Sequence, residues 1–111
     1  MVKKIISKIL NFIKKENKKD NNIDKLLVSL GQIQAKQNLY LNNKNINNYE
    51  FKVFSQWGED GIIEYLVSNI KIENKTFIEF GVENYEESNT KFLLLNHYWK
   101  GLIIDSLHLK I

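Results

Sequence analysis

Residues 76–90 read TFIEFGVENYEESNT. Thr76 to Phe80 is a short apolar run of β-forming residues. It carries one acid, Glu79, and runs into a glycine, Gly81. An acidic loop follows. From Glu86 to His97 the apolar residues return at helical spacing and offer Phe92, Leu93 and Leu95 to a core. Trp99-Lys100-Gly101 reads as a turn, and Leu102 to Ile104 as a second β-like run ending at Asp105. Strand, helix, strand in this order predicts a βαβ unit with its two strands parallel.

Upstream, FKVFSQWGEDGIIEYLVSNIKIENK predicts another helix, from about Gly58 to Asn69. Ser55 stands at its entry, and Glu59 and Asp60 suit the positive end of its dipole. Ile62, Ile63, Leu66, Val67 and Ile70 are the expected buried stripe. Residues 38–49, NLYLNNKNINNY, are Asn-rich and aperiodic and read as a linker. Before them, Ile23, Leu26, Leu27, Leu30 and Ile33 repeat at helical spacing, with Asn22 as cap and Gly31 weakening the middle. Two heptads are too few for a coiled coil, so packing on a partner helix or on the domain is expected. The polar stretch ENKKDNN, residues 16–22, is expected to break this helix from an earlier one. The chain thus divides into a basic amphipathic helix (1–20), a second helix with the linker (21–48) and an α/β unit (49–111).

The 111 residues bound this to one small domain with a modest core. There is no cysteine, which excludes disulfides and thiolate metal sites, and no metal-ligand cluster is visible. All 16 basic residues are lysine, so no guanidinium fork is available for phosphate. The net charge of +3 is uneven. Residues 1–25 hold eight lysines against three acids, whereas residues 49–111 hold six lysines against ten acids. The acidic α/β unit argues against a nucleic-acid partner.

The basic front has a second reading. Val2, Ile5, Ile6, Ile9, Leu10 and Ile13 share one helix face, and Lys3, Lys4, Lys8, Lys14 and Lys15 fill the rest. The segment is too short to span a bilayer, and Lys8 interrupts any signal-peptide run. Residues 1–15 therefore read either as a peripheral membrane contact on an anionic surface or as a solvated or packed helix.

Ligands of open α/β sheets bind outside the carboxyl ends of the strands. Gly81 lets a ligand approach the backbone there. Asp105, 24 residues on, is placed to accept from the two hydroxyls of a ribose. Glu79 is expected beside a cationic part of the ligand. Glu79, Glu83, Glu86 and Glu87 crowd the loop and repel a diphosphate. A ligand with an adenosine and a cationic end fits better, and S-adenosylmethionine has both. Each residue also has a plainer reading: Glu79 as a surface acid, Gly81 as a turn, Asp105 as a cap. For Ser55, Gln56, Glu59 and Asp60 the plainer reading is helix capping alone. His97 and His108 show no acid–base partner in the sequence, and Trp57, Tyr85 and Trp99 read as core or rim.

FSQWGEDGIIEYL (54–66) followed by TFIEFGVENYEESNTKFLLLNHYWKGLIID (76–105) resembles the opening of bacterial SAM-dependent methyltransferases of the FkbM-like kind. Enzymes of that kind are often found near surface-polysaccharide genes. The resemblance covers about half of the chain. It implies a class I, Rossmann-like fold, with S-adenosylmethionine as cofactor and a small-molecule or glycan acceptor. By the resemblance, Glu79, Gly81, Glu83 and Asn84 belong to the first cofactor-binding motif and Asp105 matches the ribose acid. Ser55, Gln56, Glu59 and Asp60 would lie over the pocket mouth. The loop has one glycine of the usual three. With two strands present, the resemblance implies the front of such an enzyme, cut short and inactive as it stands: the family would continue after Asp105 with a polar turn and another helix, whereas here residues 106–111, SLHLKI, run out. A cytoplasmic location, peripheral at the inner membrane surface if the front helix attaches, is the corresponding expectation. The alternatives are a non-catalytic membrane-surface or partner-binding protein and a different nucleotide binder on the same βαβ unit.

Overall fold

A computed structural model describes residues 1–105 and 109–110, the side chains of 16–20, 109 and 110 excepted. His108 and the polar turn that would follow Asp105 fall on residues 106–108, outside the described residues.

Helix α1 runs unbroken from Val2 to Asn38. The break expected at ENKKDNN is absent, because the stretch holds no proline or glycine. Its asparagines and aspartate each cost only a fraction of a kcal/mol in a helix, about 0.7 at most. At about 1.5 Å per residue the helix supplies most of the molecule's 65 Å length. No helix of the described residues is long and apolar enough to cross a membrane.

The second half of α1 lies on the body. Leu27, Val28 and Ala35 pack against the core cluster of Phe51, Phe54 and Phe92. Gly31 is where the two approach closest: a Cβ there would sit 2.4 Å from Phe92 Cε2. The glycine read as a weak point is the gap that admits the Phe92 ring. Asp24 pairs with Lys91 at 3.4 Å, and Gln32 donates to Asn96 Oδ1 at 2.8 Å. Of the five apolar residues expected to pack, Leu27 does so, while Ile23, Leu26, Leu30 and Ile33 are exposed.

The Asn-rich stretch is tied down. A 3₁₀ turn, Ile46–Tyr49, is capped by Asn45. Tyr49 is buried, and its hydroxyl bridges Leu41 and Asn43. Asn38 at the end of α1 donates to Tyr49 O at 2.9 Å.

Helix α2, Glu59–Asn69, begins after Gly58, whose φ of 113° suits glycine. The face it buries is led by Asp60 and Gly61. The expected stripe is only partly covered, since Leu66 and Ile70 are exposed. Tyr65 stacks on Tyr49 with ring centroids 4.0 Å apart.

Strand β1, Thr76–Phe80, pairs with β2, Lys100–Ile104, in parallel. A short β3, Leu109–Lys110, adds to β2 in the antiparallel sense, so a third strand joins the two expected. Helix α3, Lys91–His97, connects β1 to β2. It starts later than Glu86, because the Ser88 hydroxyl and the Glu79 carboxylate take the N–H groups of residues 89–91. The turn sits at Tyr98, with φ of 58°, so Lys100 and Gly101 already belong to β2. Gly101 lies under the Phe77 ring, which a Cβ would meet at 2.0 Å. One sheet face, with Phe77, Glu79 and Ile103, turns inward, while Ile78 and Phe80 on the other remain exposed. The chain is a mixed α/β fold built on a β1-α3-β2 unit.

Candidate functional site

The parallel register brings the carboxyl ends of β1 and β2 together. Glu79 is level with Ile103 and Phe80 with Ile104. Gly81 N–H then donates to Ile104 O at 2.9 Å, which places Asp105 directly alongside Gly81. Side chains alternate along a strand, so Glu79, Ile103 and Asp105 share one parity and one face. Gly81 has φ of 71°, a left-handed conformation that favours glycine, and nothing lies within 4 Å of where its Cβ would be. The mouth of β1 is open at that point.

Glu79, expected beside a cationic part of the ligand, has both carboxylate oxygens bonded within the fold. Its Oε1 accepts from Asn89 N–H at 2.7 Å. Its Oε2 accepts from Thr90 N–H at 3.1 Å and from the Thr90 hydroxyl. The physical reason is proximity: unpaired N–H groups before α3 face the nearest anion on the inward side of β1. The carboxylate therefore shapes the loop, and it is half-buried instead of a surface acid.

The loop between β1 and α3 is held at many points. Val82 and Ser88 are buried. Glu83 and Tyr85 take left-handed φ of 48° and 64°, each at a cost of roughly 1–2 kcal/mol. Tyr85 N–H donates to Val82 O at 2.8 Å, and its hydroxyl meets Thr90 Oγ1 at 2.7 Å. Burial pushes the Tyr85 hydroxyl above its ordinary pKa; hydrogen bonds with Thr90 and Ser88 oppose this, and the Glu79 charge adds to it. Asn84 Oδ1 accepts from Glu86 N–H at 3.2 Å, and Glu83, Glu86 and Glu87 are exposed. Of the loop residues expected to meet a ligand, Gly81 lines the open mouth, while Glu83 and Asn84 stand on the outer rim.

The segment 55–60 splits in two. Ser55 and Asp60 are each 1% exposed and bonded to one another. Asp60 Oδ2 accepts from the backbone N–H groups of Val53, Phe54 and Ser55, all at 2.8 Å. Those two side chains, expected over the pocket mouth, hold a turn. Gln56 and Trp57 are exposed, and Glu59 is half-exposed and accepts from Trp57 N–H at 2.9 Å. The turn does reach the loop: Ser88 N–H donates to Phe54 O at 3.1 Å. The two stretches singled out in the sequence are thus in contact.

Hydrogen bonds from its own backbone N–H, from Trp57 and Gly58 N–H and from the Ser55 side chain hold the Glu59 carboxyl below its ordinary 4.5, against an upward push from burial. A lowered carboxylate contributes stability that is fully present above the ordinary value and is lost as pH falls through the folded one. Glu59→Gln is accordingly expected to melt earlier in urea than the parent chain at pH 7. The gap should narrow as pH falls below the ordinary 4.5; a gap that does not narrow in acid would contradict this assignment.

One pair escaped the sequence. His97 Nε2 lies 2.7 Å from Glu64 Oε2, joining the end of α3 to α2. The two residues are 33 apart on different helices, and no spacing rule links them. Trp99 is buried, whereas Trp57 stands at the rim.

No family model matches the chain, and no curated protein or solved structure matches it.

Proposed function

We propose that the unit 49–105 is the ribose-side half of an adenosyl-ligand site of the Rossmann-like kind, and that the ligand is S-adenosylmethionine, as in a FkbM-like methyltransferase. The observation that carries the reading is the placement of Asp105 beside Gly81 by the Gly81 N–H to Ile104 O bond. A carboxylate at the carboxyl end of the second parallel strand suits two ribose hydroxyls. The open space at Gly81 suits a ligand atom where a side chain would stand. Glu83, Glu86 and Glu87 favour a ligand with a cationic end over a dinucleotide. Glu79 serves by fixing the loop, since both its oxygens accept bonds from Asn89 and Thr90. When bound, the sulfonium would supply an electrophilic methyl carbon, and the acceptor would be a small molecule or a glycan. The part of the chain described here contributes binding and orientation.

Calorimetry tests this. S-adenosylmethionine and S-adenosylhomocysteine are expected to bind and NAD is not. Asp105→Ala is expected to weaken binding about tenfold to a hundredfold, the value of hydrogen bonds to a charged acceptor. Equal heats from NAD, or an affinity indifferent to Asp105→Ala, would remove the proposal.

A further inference from the structure

Among the described residues, nothing covers the apolar face of the first half of α1. Val2, Ile5, Ile6, Ile9, Leu10, Phe12 and Ile13 are between 48 and 69% exposed. At about 100° per residue these seven fall within an arc of about 160°. Lys3, Lys4, Ser7, Lys8, Asn11, Lys14 and Lys15 fall within the remaining arc of about 140°. The two sets do not interleave anywhere, and residues 2–15 contain no acid. Apolar and cationic faces are thus completely separated on one exposed helix.

We propose that residues 2–15 are a docking surface for an anionic lipid bilayer. The apolar arc would enter the boundary between head groups and acyl chains, Lys3, Lys8 and Lys14 bordering it would meet lipid phosphates, and Lys4 and Lys15 would add longer-range attraction. Charge complementarity favours lipid over a second copy, because five lysines and no acid in residues 2–15 match an anionic surface, which a second cationic segment does not offer. The wheel adds one requirement. Asp24, Leu27, Val28, Gly31 and Ala35, which seat the second half on the body, share the arc of the free apolar face. A flat bilayer therefore reaches residues 2–15 only when α1 bends across 16–22. That stretch, ENKKDNN, is helical in the fold and holds no apolar residue, so the bend is a cost that lipid binding has to exceed. The inference is independent of adenosyl-ligand binding.

Co-sedimentation of the full chain with vesicles tests it. Binding is expected to phosphatidylglycerol-containing vesicles and not to pure phosphatidylcholine. Lys8→Gln/Lys14→Gln should weaken it about thirtyfold, near fivefold for each lysine. Ile9→Glu/Ile13→Glu should abolish it, a loss of at least about a hundredfold. Both pairs lie away from the body, so urea melts followed through Trp99 should match the parent chain. Absence of binding, equal binding to both lipids, or retention by Ile9→Glu/Ile13→Glu overturns the proposal. A dimer by light scattering that Ile9→Glu/Ile13→Glu dissolves, without vesicle binding, would assign the face to a second copy and overturn it as well.

Discussion

Asp60→Ala is expected to lose about 3–5 kcal/mol of folding stability, the range for removing one partner of a buried charged network. The loss has countable parts. Asp60 Oδ2 accepts from three consecutive backbone N–H groups and from the Ser55 hydroxyl. Removing the carboxylate leaves those donors buried around a void. Each unsatisfied buried donor costs about 1–3 kcal/mol before relaxation or water entry reduces it. Against a total of roughly 5–15 kcal/mol for a domain, this is a large share, and at the low end of that range it unfolds much of the population. Asp60→Asn separates charge from shape. Its amide oxygen can replace Oδ2, but its NH₂ falls where Oδ1 is buried without a partner, so a smaller loss, about 2 kcal/mol, is expected. Urea unfolding followed through buried Trp99 reads both. A loss below 1 kcal/mol for Asp60→Ala would mean that the turn at 53–60 is held by something else.

Gly61→Ala sets two effects against each other. Alanine is the better helix former by about 1 kcal/mol, so propensity alone predicts a more stable α2. The packing predicts the reverse. A Cβ on Gly61 would lie 2.1 Å from Tyr49 O and 2.3 Å from Phe51 N. Both are backbone atoms, and Gly61 N–H also bonds to Phe51 O at 3.2 Å. Neither neighbour can rotate away; α2 must lift from the 49–51 segment. That movement would disturb the Tyr49–Tyr65 stack and the burial of Phe51 in the core. Sterics win, with an expected net loss of about 3 kcal/mol, at the upper end for overpacking. Equal or greater stability for Gly61→Ala in the same urea assay would show that the segments separate cheaply.

Local pattern was legible wherever neighbours in sequence are also neighbours in space. The β1 residues Thr76–Phe80 are those the apolar run marked, and α2 begins within a residue of the expected place. Phe92 and Leu93 are buried, as the helical spacing implied, and β1 and β2 pair in parallel. Errors arose where polarity stood in for geometry. ENKKDNN looked like a break, but a polar stretch without proline or glycine continues a helix readily. The helix was expected from near Glu86, yet Ser88 and Glu79 capture the N–H groups of residues 89–91 and delay α3 to Lys91.

The candidate site shows the same division. Sequence order alone placed a glycine and a carboxylate at the ends of two adjacent parallel strands, since a short crossover helix constrains strand direction. The employment of each acid was not written there. Glu79 is bonded to Asn89 and Thr90, Asp60 to the 53–55 backbone, and Glu64 to His97. A carboxylate takes whichever donors the fold brings within 3 Å, and a distant donor leaves no periodic trace near the acid it meets. The same holds for Gly31 and Gly61, whose missing side chains matter because Phe92 and the 49–51 backbone come close. Amino-acid order determined the elements and their amphipathic faces, because both follow from periodicity along the chain. Tertiary packing decided which acids are structural and which apolar faces stay open, because those depend on what the folded chain places opposite them.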